Sequence, residues 1–205
     1  MSDATLSATP AWTRRRTLAT IGALALAAPT HARPTRYRLD PANSRVGFTY
    51  VLNGASQQGT MPVDHANILI DPQNLQASSV DVSLNARKAR TGFVFATQAL
   101  TGTEVLDTAR FPHIRFVSDR VRLGPEGRIS DGASISGSLT IRDRTRRVTF
   151  DAGLFRPAGT TPEDLNVLTV RLTGAINRSD FGAAGFPDLV ADRVGLDVTA
   201  RILRT

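Results

Sequence analysis

The stretch Arg193-Val194-Gly195-Leu196-Asp197-Val198-Thr199-Ala200-Arg201-Ile202 alternates an apolar side chain with a charged, hydroxyl or glycine position at every step. A period of two belongs to a β-strand with one buried face, which puts Val194, Leu196, Val198, Ala200 and Ile202 together on that face. The pattern recurs along the chain in Val46, Phe48, Tyr50 and Leu52, in Val80, Val82 and Leu84, in Ile135, Leu139 and Ile141, and in Val148 and Phe150. Turn signals separate these runs: Asn53-Gly54, Asp71-Pro72, Gly124-Pro125-Glu126-Gly127, Asp143-Arg144 and Pro157-Ala158-Gly159. The spacing predicts one all-β domain of about eight antiparallel strands. One segment, Gly92 to Thr103, is apolar without alternation and reads as a short helical segment packed across a barrel mouth or side, or as a buried connection with no ligand role.

Eight antiparallel strands have two edges to protect, and closing into a barrel removes both. A barrel of this strand number is filled by its own side chains or holds one small ligand, and at this stage both readings stay open. Nearly all the apolar side chains fall on one parity, and there is no second set of amphipathic helices for them to pack against. The interior is therefore predicted to be apolar, and a ligand admitted to it to be greasy.

Composition removes whole classes of chemistry. The 205 residues include no cysteine, which excludes disulfides, thiolate zinc sites, iron–sulfur clusters and a cysteine nucleophile. The formal charge is +7, carried by 24 Arg and the single Lys88, but the arginines are scattered and lack interleaved aromatics for base stacking. Nucleic acid is not an expected partner.

The first 32 residues read as an export leader. Thr13-Arg14-Arg15-Arg16-Thr17-Leu18 precedes an Ala/Leu-rich run to Ala28, and Pro29-Thr30-His31-Ala32 ends on a small residue. The run is about half the ~20 residues that span a bilayer. Thr-Arg-Arg-x-x-Leu is similar to a twin-arginine signal, with an ordinary secretory signal as the alternative. Cleavage after Ala32 leaves residues 33–205 as the barrel domain, with a charge of +5, in the periplasm.

Catalytic constellations are missing from the remainder. His65 and His113 lie far apart, and His113 is predicted to face solvent beside Arg115. No nucleophile elbow, phosphate loop, dinucleotide fingerprint or zinc motif occurs, so neither an enzyme nor a metal site is expected. Asp180 in Asn177-Arg178-Ser179-Asp180-Phe181-Gly182 is expected to cap a turn and pair with Arg178. The run Arg142-Asp143-Arg144-Thr145-Arg146-Arg147 reads as a solvated hairpin tip, or as a surface attracted to anionic lipid head groups.

Several pieces in order resemble the YceI-like family of exported, lipocalin-like barrels. They are Tyr37-Arg38-Leu39-Asp40-Pro41-Ala42-Asn43-Ser44-Arg45-Val46-Gly47-Phe48, then Thr91-Gly92 with Leu100, Val105-Leu106-Asp107, and Arg110-Phe111-Pro112-His113-Ile114-Arg115-Phe116. The stretch Gly137 to Phe150 and the segment Asn177 to Gly182 complete the set. The resemblance implies a periplasmic carrier of an isoprenoid-type or other amphiphilic lipid, a quinone among them, with no required cofactor. It also implies the inner-membrane surface or a membrane cytochrome as partner. Asn43, Asn53, Ala96 and Thr97 stand where the family often has His, His, Arg and Asp, so polar groups that would meet a head group differ here. Apolar tail binding needs only interior side chains, and the candidates are Phe48, Tyr50, Phe93, Phe95, Leu100, Phe116, Leu139 and Phe150. A barrel filled by its own side chains, acting as an envelope interaction module, is the alternative.

Overall fold

A computed structural model describes residues 34–127, 129 and 132–205; the predicted leader over 1–32 lies outside the described residues. Among the described residues eleven strands follow one another: β1 (Thr35–Leu39), β2 (Arg45–Leu52), β3 (Ala55–Thr60), β4 (Val63–Ile70), β5 (Ser79–Asn85) and β6 (Arg90–Thr91), then β7 (His113–Arg122), β8 (Ala133–Ile141), β9 (Arg144–Phe155), β10 (Val167–Asn177) and β11 (Arg193–Arg204). A single α-helix, α1 (Val94–Thr101), lies between β6 and β7.

Eight strands close a ring in the order β1-β4-β5-β7-β8-β9-β10-β11, with β11 returning to β1, and every pairing is antiparallel. The other three are continuations. β2 follows β1 along the same edge of β11, β3 pairs with β2, and β6 pairs with β3. The architecture is thus the predicted eight-stranded up-and-down barrel, with its first three strands each broken in two. The breaks have local causes. Pro41 opens a 3-10 turn over Pro41–Asn43, Pro62 lacks the amide that a ladder needs, and Ala86–Lys88 forms another 3-10 turn.

The alternating stretch that begins at Arg193 forms the longest ladder, β10 to β11, registered from Val167 opposite Leu203 to Asn177 opposite Arg193. In β7 the register shifts between Ser118 and Arg120, so Asp119 is an extra residue that inverts the parity. Ile114, Phe116 and Val121 all end up buried because of it.

Two apolar clusters divide the interior. Tyr37, Ile68, Ile70, Leu168 and Ile202 close the end of the barrel where β1 begins and β11 ends. There the Tyr37 hydroxyl donates to the Leu165 carbonyl at 2.7 Å, and burial pushes its pKa above the ordinary tyrosine value. The second cluster, with Phe116, Ile135, Leu139 and Phe150 among its members, lines the middle.

Candidate functional site

The inward faces do not meet across the barrel. Between them lies a cavity of about 860 Å³. That is near the upper end of the ~300–1,000 Å³ usual for small-molecule sites. The even positions of β2 and those of β11 from Val194 to Ile202 face it, as do Val80, Val82 and Leu84 of β5. All eight candidate side chains lie on its wall: Phe48 and Tyr50 on β2, Phe93, Phe95 and Leu100 in or beside α1, Phe116 on β7, Leu139 on β8 and Phe150 on β9. The side-chain-filled alternative does not describe this interior.

Glycines keep the space open. The Phe116 ring lies over Gly137 and the Phe150 ring over Gly174, each glycine on the neighbouring strand. A Cβ built on Gly174 would sit 2.7 Å from Phe150 Cδ1, so the ring occupies the place a side chain would take. The two rings are 5.6 Å apart and tilted by 56°, folded along the wall instead of filling the lumen.

Large apolar lining residues remain exposed at one end, which marks the mouth. Phe93 and Phe95 come to it from the segment that enters α1, and Phe186 and Leu189 from the β10–β11 connection. Arginines tie down the loops around this end. The buried Arg178 donates to the carbonyls of Ala183, Gly185, Val190 and Ala191 at 2.6 to 3.2 Å. Burial lowers its pKa, with Asp192 opposing the shift. Arg142 reaches the carbonyls of Thr103, Val105 and Gly182, and Arg87 those of Thr108 and Ala109.

The wall offers little chemistry beyond apolar contact. Among the described lining residues the ionisable side chains are Arg45, Tyr50 and Arg178, with no carboxylate or imidazole. The Tyr50 hydroxyl is buried and has no hydrogen-bond partner. His113 is exposed and 3.0 Å from Asp64, and His65 is also exposed. Among the described residues no group of three or more His, Asp or Glu side chains is placed to hold a metal ion.

A family model, the YceI-like domain, matches residues 37–202. The chain belongs to the YceI-like family. A UPF0312 protein of Pseudomonas syringae pv. tomato is 24% identical over 156 residues, covering 76% of this chain and 75% of that protein. Among solved structures, Burkholderia cenocepacia BcnA superposes with a TM-score of 0.68 at 19% identity, over 80% of this chain and 99% of that one. A polyisoprenoid binding domain from Saccharophagus degradans has a TM-score of 0.60 at 12% identity, over 83% and 99%. At these identities the two structures speak to the fold.

In this YceI-like barrel two expectations need correction. Arg178 does not pair with Asp180 but turns inward to the four carbonyls, and Asp192 caps the turn by accepting from the Ser179 amide and hydroxyl at 2.8 Å. The Arg142–Arg147 run is not a freely solvated tip either: Arg142 folds back onto the mouth loops, and Arg147 pairs with Asp119. Sequence reading also passed over Phe186 and Leu189. Their signal was an apolar pair inside a turn-rich loop, Phe186-Pro187-Asp188-Leu189-Val190, directly after the late family motif.

Proposed function

We propose that this YceI-like protein binds and carries an isoprenoid-type or similarly amphiphilic lipid, quinones included, with the tail held in the barrel. The observation that carries this reading is the apolar cavity of about 860 Å³ with its exposed mouth. Each methylene moved from water into such a site contributes about 0.8 kcal/mol, so a long tail binds tightly with no polar chemistry. The polyisoprenoid-binding neighbour of the same fold supports the choice of cargo. The proposed setting is the periplasm, reached through the leader over 1–32.

Organic extraction of protein purified from its native host, followed by mass spectrometry, identifies the cargo. Titration with detergent-dispersed polyprenol or long-chain quinone is expected to raise the melting temperature. Ala200→Trp, which places a large ring in the lumen from the middle of β11, is expected to remove that rise. No extracted lipid together with an unchanged melting temperature would overturn the reading.

A further inference from the structure

The large apolar side chains left in water are gathered at one place. Six are exposed among the described residues, and five of them, Phe93, Val94, Phe95, Phe186 and Leu189, surround the mouth. The sixth, Phe155, lies at the far end of β9, with the Arg171 guanidinium 5.2 Å from its ring centre. Scattered exposed apolar residues carry no message, whereas a cluster continuous with an apolar cavity marks an interaction surface. Phe95 is 85% exposed and Val94 72%, so the segment entering α1 stands out into solvent.

The two lips differ in chemistry. The first runs from Arg87 through Lys88 and Arg90 to Phe93-Val94-Phe95, with no acidic residue between Ala86 and Thr103. Lys88 and Arg90 are exposed on this lip. The second is Phe186 to Leu189, which carries the exposed Asp188 and adjoins the exposed Glu104 through Gly185. Phe186 holds a φ of 57°, a left-handed conformation unfavourable for so bulky a residue, while its carbonyl accepts from the amides of Leu189 and Val190. The backbone is thus fixed in a costly turn that leaves an aromatic ring at the rim.

We propose that this end of the barrel docks on a lipid bilayer. The five apolar side chains enter the boundary between head groups and acyl chains, and Lys88 and Arg90 meet anionic head groups. Aromatic residues favour that boundary, and basic residues beside it are drawn to anionic lipid. Docked this way, the cavity opens into the phase that holds its cargo. The proposal rests on the carrier reading above.

Flotation of the full chain with vesicles of phosphatidylcholine, alone and mixed with phosphatidylglycerol, tests it. Every variant keeps the same first 33 residues, so differences between variants report on the mouth. Stronger binding to the mixed vesicles, weakened by added salt, is expected. Phe95→Ser and Val94→Asp should each lower partition about tenfold. Phe155→Ser, at the other end, should leave it unchanged. Val94 is absent from the cavity wall, so Val94→Asp should still load polyprenol from detergent. Unchanged partition in both mouth variants overturns the proposal. So does a wild-type dimer that Val94→Asp converts to monomer, which would assign the lips to a second copy of the chain. Failure of the wild type to load from detergent overturns the carrier reading instead, whatever the vesicles show.

Discussion

Phe48 stands directly opposite Gly59 in the β2–β3 ladder, and its ring lies across the glycine so closely that a Cβ there would fall 2.1 Å from Cζ. The ring-on-glycine contact recurs with Phe116, which lies over Gly137 diagonally across the β7–β8 ladder, and with Phe150 over Gly174. In each case a ring that faces inward by parity is folded onto a neighbouring strand. A barrel with this many aromatic residues remains hollow because glycine gives the rings a place against the wall.

Gly174→Ala tests this most cleanly, because the three nearest heavy atoms to the new methyl all belong to Phe150, its ring first. The ring is expected to swing into the lumen, lowering lipid capacity in a detergent-loading titration at a stability cost of about 1 kcal/mol. Gly137→Ala differs, since its Cβ would meet backbone atoms, the Val117 carbonyl oxygen among them. A loss of about 3 kcal/mol by urea denaturation is expected there, because the β7 bulge itself must shift.

Arg178→Met leaves the carbonyls of Ala183, Gly185, Val190 and Ala191 without their shared donor. A destabilisation of about 3 kcal/mol is expected, together with faster hydrogen exchange across residues 182–192. Normal exchange in that loop would show that the guanidinium does not hold it.

Tyr50→Phe removes a buried hydroxyl that has no partner. In the empty protein the expected change is a gain of about 1 kcal/mol, read from the urea midpoint at unchanged m-value. A loss of stability would mean that the hydroxyl is bonded in solution.

Acid sensitivity has a named contributor on the outer face. Arg115 donates to both oxygens of Asp81, at 2.9 and 2.6 Å, and this holds the Asp81 carboxyl below the usual aspartate range. The folded form then binds fewer protons than the unfolded form between the two pKa values. The contribution is complete above the unfolded value and disappears as pH falls through the folded one. Asp81→Asn is expected to lower stability slightly at neutral pH and to flatten its decline in acid, measured as urea midpoints across the acid range. Equal slopes for the two proteins would count against the pair.

Much of the barrel was legible because β2, β5, β8, β9 and β11 carry their inward residues in strict alternation. β3 was not, since Ala55-Ser56-Gln57-Gln58-Gly59-Thr60 has almost no apolar side chain for a period to act on. The bulge at Asp119 hides for another reason: one inserted residue inverts the parity, and nothing in its chemistry announces it. Each candidate lining side chain could be chosen as a bulky apolar group, but whether it would be buried or stand at the rim depended on loop positions. Glycine in a strand reads as a weak point until the ring resting on it is seen.

The break between β5 and β6 also bears on how a bulky guest passes the wall. β6 has only two residues, pairs with β3 and, among the described residues, has no strand along its other edge. That part of the wall is covered by α1, none of whose residues is buried, fastened near its start by Thr91 and Thr97 side-chain hydrogen bonds. Swinging the helix aside breaks no rung of the closed eight-strand ring. For the cargo proposed above, an opening at this place would cost the contacts of α1 alone, a local free energy smaller than that of global unfolding.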